Sequence, residues 1–231
     1  MIERYTITGK VADIIERFSV DVPDFYQPHF NAAPTRLLPV ITNTSPDGLS
    51  LFYWGIPPNW AKNKAVSEKI INLKAEALLE KPSLKKAILK RRCIIPADGF
   101  YAWKKVGKKT MIPHRFVLKD KSLFSFAGIW EDFEDEEGDE NHTFMIITCP
   151  SNGIVAAATP TMPIILNKAS EKIWLSNEAE DNLVKVLTPI DATALECYTV
   201  SPVINTDSVD FPSLINHVPP SDQHGNLTLF D

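Results

Sequence analysis

Histidine and cysteine are the side chains of this sequence best suited to nucleophilic, acid–base or metal chemistry, and their spacing forms none of the common patterns. The five histidines, His29, His114, His142, His217 and His224, stand singly with no pair at i, i+4, so no helix face presents two imidazoles to one zinc ion. The strings H-E-x-x-H, G-x-S-x-G, G-x-x-x-x-G-K and G-x-G-x-x-G are all absent. Cys93, Cys149 and Cys197 lie in apolar surroundings at spacings that fit neither a C-x-x-C zinc pair nor a disulfide framework. They read as buried free thiols, and neither a metal nor a cofactor is expected.

What the sequence does concentrate is charge. The chain carries 24 basic and 29 acidic residues, net −5, but the sum hides the distribution. From Ala61 to Thr110 there are 14 Lys and Arg against 4 Asp and Glu, whereas the remainder holds 10 against 25. Trp60, Phe100, Tyr101 and Trp103 are interleaved with that basic block and Trp54 precedes it. Cations beside aromatic rings suit single-stranded nucleic acid, which exposes both phosphates and base faces. The plainer reading is that Lys81, Lys85, Lys86 and Lys90 solvate one helix face. Eight of the ten residues from Glu131 to Glu140 are acidic and Gly138 lies among them, which reads as an exposed hairpin or loop tip.

The elements that must position these residues are mixed. Short β-rich runs occur at Leu37 to Thr42, Leu49 to Trp54, Phe116 to Leu118, Leu123 to Ile129 and Thr143 to Cys149. Helical periodicity marks Val11 to Phe18, with Val11, Ile14, Ile15 and Phe18 on one face, then Asn72 to Leu79, Ser83 to Lys90 and Leu183 to Leu187. Ser83, after Pro82, reads as a helix N-cap. There is no repeat and no long linker, so the 231 residues, 44% of them hydrophobic, are expected to form one α+β domain over 1–231 built on a curled sheet. The N-terminus lacks a secretory pattern and no stretch is long and apolar enough for a membrane span, so a cytoplasmic protein with no membrane partner is expected.

Several strings, taken in order, resemble the SRAP family, the abasic-site-processing and SOS-associated peptidases, over nearly the whole chain. Arg4-Tyr5 resembles its M-C-G-R-[FY] start, Asn31-Ala32-Ala33-Pro34-Thr35 its N-x-A-P-[ST] segment, and Trp54-Gly55-Ile56 with Pro58 and Trp60 its W-G-L-x-P-x-W segment. Asn72 with Glu76 matches N-A-R-x-E. Arg91-Arg92-Cys93-Ile94-Ile95-Pro96-Ala97-Asp98-Gly99-Phe100-Tyr101, followed by Trp103, matches R-R-C-[LI]-[VI]-P-A-D-G-[FY]-Y-E-W almost letter for letter. Phe126 to Glu131, Thr148 to Asn152 and Met162 to Leu166 complete the landmarks.

The resemblance implies a pseudo-barrel of curled mixed sheet with flanking helices, acting in the DNA damage response and binding single-stranded DNA, or single-strand to double-strand junctions with abasic sites, in a basic groove. It also implies a reaction. An N-terminal cysteine condenses with the aldehyde of the abasic site, a glutamate and a histidine move protons, and an asparagine holds the terminus. Carried onto this chain, the DNA-contacting positions are Arg4, Trp54, Trp60, Lys74, Glu76, Arg91, Arg92, Phe100, Tyr101, Trp103, Thr161, Met162 and Pro163. The catalytic positions depart from the family. Ile2 replaces the cysteine, Glu3 the following glycine, Ala102 the glutamate, Thr159 the histidine and Thr161 a nearby arginine, leaving Asn72 as the retained member. Lys74 keeps the charge of a family arginine but loses its planar fork. These changes together imply a binder without the covalent chemistry, and a monomer, associated with the nucleoid when bound to DNA, is expected. The alternatives are an enzyme using Thr159, Thr161 or a cysteine as substitute nucleophile, and a protein-interaction paralogue.

Overall fold

The computed structural model describes residues 2–55, 71–134 and 137–228. The chain runs β1 (Tyr5–Ile7), α1 (Val11–Phe18), β2 (His29–Ala32), β3 (Leu37–Thr42), β4 (Ser45–Trp54), β5 (Asn72–Lys74), α2 (Ala75–Glu80), α3 (Pro82–Lys90), β6 (Arg92–Ala97), β7 (Gly99–Val106), β8 (Thr110–Leu118), β9 (Phe124–Glu134), β10 (Glu140–Pro150), α4 (Gly153–Ala156), β11 (Thr161–Pro163), β12 (Ile165–Leu166), α5 (Lys168–Leu175), α6 (Glu180–Lys185) and β13 (Leu195–Thr199).

Five strands close a barrel. β4 pairs with β3, β3 with β6, β6 with β9, β9 with β10, and β10 returns to β4 in parallel. Closure leaves no free edge in that ring. Gly128 lets it close tightly, because a Cβ there would lie 2.4 Å from Ile95 Cδ1 and 2.9 Å from the Met145 carbonyl oxygen. β6 is buried at all six positions, as expected of a strand covered on both faces.

A second, five-stranded sheet has the order β13-β8-β7-β1-β2. Its two faces pack differently. One joins the main core through Tyr5, Ile7, Phe100, Ala102 and Phe116. The other covers a small cluster of Tyr101, Val200, Ile204 and Leu214.

Tertiary context overrides local pattern in several places. Helix α1 has the expected bounds, yet of its apolar face Ile14 is buried while Val11 and Ile15 are 42% and 46% exposed. Asn72 to Lys74 is strand, not helix, because it pairs in parallel with Ile146 to Thr148 of β10. Helix α3 begins at Pro82 with Lys81, not Ser83, at the N-cap, since the fixed proline φ suits the first helical position. Cys93 and Cys149 are buried, but Cys197 is exposed on β13, an edge strand. Within the acidic run, Glu131 to Glu134 of β9 pair with Thr143 to Glu140 of β10. Among the described residues no helix is long and apolar enough to cross a membrane.

Candidate functional site

Three segments distant in sequence meet near the C-terminal end of β10. Lys74 of β5 pairs with Thr148, which pairs on its other side with Pro163 of β11, so the three form one row. Two residues before Lys74, the Asn72 side-chain nitrogen donates to the Ile2 carbonyl at 2.7 Å. That bond holds the N-terminal segment against the row. The register of β1 on β7 continues beyond Tyr5 and Phe100, with the Tyr101 amide donating to the Arg4 carbonyl at 3.1 Å. Ala102 therefore lies one residue further toward the N-terminus, and both Ile2 and Ala102 are buried in the main core. Thr159 is buried, and its hydroxyl donates to the Thr161 carbonyl at 3.3 Å.

At the family's catalytic positions the chain thus offers a gripped backbone carbonyl, an isoleucine, a methyl group and a hydroxyl already engaged by the backbone. Among these groups none is a proton shuttle of suitable pKa. The thiol nearest in register is Cys149, beside Thr148 and opposite Met162. Burial first, and then the charge of Glu76, push Cys149 up to about 11, which leaves about one thiolate in 10⁴ at neutral pH. The Cys93 thiol is raised further by burial alone.

Two polar networks fix the elements around this site. Asp98 accepts from the hydroxyls of Thr6 and Thr8, from the Thr8 amide at 2.7 Å and from Arg115 Nη2 at 2.8 Å. Arg115 also reaches the Tyr198 hydroxyl at 2.7 Å, so one buried ion pair ties β1, β7, β8 and β13 together. A side chain at 99 would intrude on it, because its Cβ would sit 2.7 Å from Arg115 Nε. The second network holds the segment after β13. Asp210 accepts from the amides of Phe30 and Asn31 at 2.6 and 2.9 Å, from His29 Nδ1 at 2.8 Å and from Arg36 at 2.9 Å. Asn31 donates to the carbonyls of Ile204, Thr206 and Val209, and Arg4 pairs with Asp207. Neither network is visible in the sequence, because their members are up to 203 residues apart.

Several residues placed at a DNA surface by the motifs are interior instead. Trp54 is fully buried, stacked on Phe144 and edge-on to Tyr5, with its indole nitrogen bonded to the Ile71 carbonyl at 3.0 Å. Phe100 stacks on Phe116, and the Tyr101 hydroxyl donates to the Phe30 carbonyl at 2.8 Å. Arg92 is 1% exposed and engages its guanidinium with the carbonyls of Ile88, Trp174 and Ser176. Met162 and Pro163 are buried. These side chains therefore present no free face for base stacking or a phosphate in this structure.

The exposed members are Lys74 and Glu76, with Arg91, Trp103 and Thr161 half-buried. Arg91 pairs with Asp132 at 2.6 Å and lies over the Trp130 ring. Trp103 donates to the Asn205 side chain at 2.9 Å. Arg4 is nearly buried, and Trp60 lies outside the described residues. Asp132, Glu140 and His142 bring ligand atoms within 4.8 Å of one another, but Asp132 already neutralises Arg91.

A closed barrel, a clamped N-terminal segment and an R-R-C-I-I-P-A-D-G-F-Y string running from β6 of the barrel into β7 of the second sheet agree with the pseudo-barrel class that the sequence motifs resemble. The family described as SOS response associated peptidase (SRAP) matches residues 1–207, and the chain belongs to it. It is 41% identical over 221 residues to the abasic site processing protein YoqW of Bacillus subtilis, covering 93% of this chain and 99% of that one. The abasic site processing protein HMCES of Rattus norvegicus is 25% identical, with 84% of this chain and 66% of that one covered. A crystal structure of a protein from Bacteroides thetaiotaomicron superposes with a TM-score of 0.82 at 25% identity, covering 93% and 99% of the two chains.

Proposed function

We propose that this chain binds single-stranded DNA, with abasic sites among its targets, through the face where residues 2–4, 72–76 and 159–163 converge, and that it does so without covalent chemistry. The relatives are named for abasic site processing, which supports DNA as the ligand. The observation that carries the non-covalent part is the Asn72 clamp on Ile2. It retains the positioning half of the family's machinery around a residue with no nucleophile. Ala102 and Thr159 add no acid or base, and the nearest thiol is protonated at neutral pH. Lys74 is the cation of the implied DNA-contacting set that is exposed on this face, whereas Arg91 is held by Asp132, so Lys74 is the group expected to release a counterion.

Fluorescence anisotropy with a labelled single strand tests the binding half. The affinity should fall linearly with salt on a log–log scale, and Lys74→Gln should reduce the slope by about 0.7. No affinity at low salt, or a slope unchanged in the Lys74→Gln variant, would refute this placement.

A further inference from the structure

The β7–β8 hairpin ends in Lys104-Lys105-Val106-Gly107-Lys108-Lys109. No acidic residue occurs between Gly99 and Leu118. Two lysines elsewhere face a carboxylate, Lys85 with Glu180 and Lys121 with Glu196. Among the described residues none of the four hairpin lysines joins an ion pair. Three are exposed and Lys104 is half-buried. Four cations packed onto one turn repel one another, a cost that only an anionic partner or solvent relieves.

The tip is also built to hold its shape. β7 and β8 stay in register from Phe100 opposite Phe116 to Val106 opposite Thr110, and Gly107 turns the chain at φ 65°. From outside the hairpin, the Gln223 side chain accepts from the Met111 amide at 2.9 Å and donates to the Lys109 carbonyl at 3.1 Å. A lysine turn that served only solubility would have no use for such a brace. The hairpin also has a defined place. β7 carries Ala102, beside the N-terminal segment, and continues directly to Gly107, about 17 Å away at ~3.3 Å per residue. That span matches about five phosphate steps of a DNA strand at ~3.4 Å each.

We propose that this hairpin tip is a second nucleic-acid contact, an arm that grips the phosphate backbone of DNA flanking the segment held at the N-terminal site. Trp103, half-buried between the two places, sits along the path. The inference rests on the DNA-binding reading above and extends it to residues that the family motifs do not cover. The ligand is a run of phosphates, from a continuing single strand or from a duplex arm.

Three probes distinguish the cases: a single strand of about six nucleotides, the same strand lengthened by about ten unpaired nucleotides, and the same strand lengthened by about ten base pairs, sized from the ~3.4 Å phosphate step. The parent protein should bind the longer probes on the order of tenfold more tightly than the short one near ~0.1 M salt. In a variant with Lys104→Gln, Lys105→Gln, Lys108→Gln and Lys109→Gln that gain should vanish, while affinity for the short probe and the thermal midpoint stay unchanged. Loss of the gain on the duplex probe alone assigns a duplex arm, and loss on the unpaired probe alone assigns a single strand. The arm is refuted if the variant keeps the gain, or if the parent shows none while still binding the short probe. A parent that binds no probe would overturn the DNA-binding reading itself.

Discussion

Two hairpins of this molecule have opposite charge and are anchored in opposite ways. The hairpin from Gly99 to Leu118 carries four lysines and Arg115 and no acidic residue, whereas that from Phe124 to Pro150 carries eight acidic residues and no lysine or arginine. The basic one is fixed at its base by a buried ion pair, Asp98 with Arg115, side-chain exposure 9% and 8%. The acidic one is fixed by close apolar packing where Gly128 meets Ile95 and Met145. Charge at a tip is therefore independent of how the strands beneath are held. A buried pair makes the basic hairpin sensitive to loss of one charge, while a packed glycine makes the acidic hairpin sensitive to added volume.

The largest expected effect follows from that difference. Asp98→Ala leaves Arg115 buried without its counterion, and should cost about 3–5 kcal/mol in chemical denaturation. A loss below ~1 kcal/mol, the range of an exposed pair, would show that the pair does not hold the hairpin's base. Gly128→Ala should cost about 1–3 kcal/mol through overpacking at the other base, and a neutral result would mean that the barrel yields there.

A third effect is smaller and depends on pH. Burial raises the Asp210 carboxyl, but the His29 side chain and the amides of Phe30 and Asn31 outweigh it and hold the carboxyl below its ordinary value. A carboxylate depressed in the folded state contributes stability above its unfolded pKa of about 3.9, and that contribution fades as pH falls through the lower folded value. Asp210→Asn should then cost about 1–3 kcal/mol at neutral pH, and the gap to the parent should close below about pH 4. A gap independent of pH would assign the loss to packing.

How far the sequence reveals such arrangements depends on whether they are local. Helix α1 is legible to its end residues because its periodicity, the Asp13 carboxylate on the Lys10 amide at 2.8 Å and the left-handed Ser19 all lie within ten residues. Asn72 to Lys74 has a helical pattern but forms strand, because the partner that decides it lies more than 70 residues on. The string from Arg91 to Trp103 marks the family, but it does not separate DNA-facing residues from scaffold. β6 is covered on both faces and β7 enters two cores, so no polar alternation records which side chains meet solvent. Asn72 stands out through resemblance alone. Its bond to Ile2 spans 70 residues, and no local pattern encodes it.

The smallest effect tests the acidic tip as a counterpart of the lysine arm. Glu134→Gln with Glu140→Gln should leave stability within ~0.5 kcal/mol and strengthen single-strand binding a few-fold at low salt. The gain should disappear near ~1 M, where the screening length is about 3 Å. An effect that survives high salt would place the acidic tip in direct contact with the strand.

The most direct test of the proposed function is whether the protein stays attached to abasic single-stranded DNA after denaturation. Incubated with such a strand and run on a denaturing gel, the parent should leave the DNA free, while a variant carrying Ile2→Cys, Glu3→Gly, Ala102→Glu, Thr159→His and Thr161→Arg should shift it. An adduct formed by the parent itself would contradict the account, because it would show that a group other than the residue held by Asn72 supplies the nucleophile.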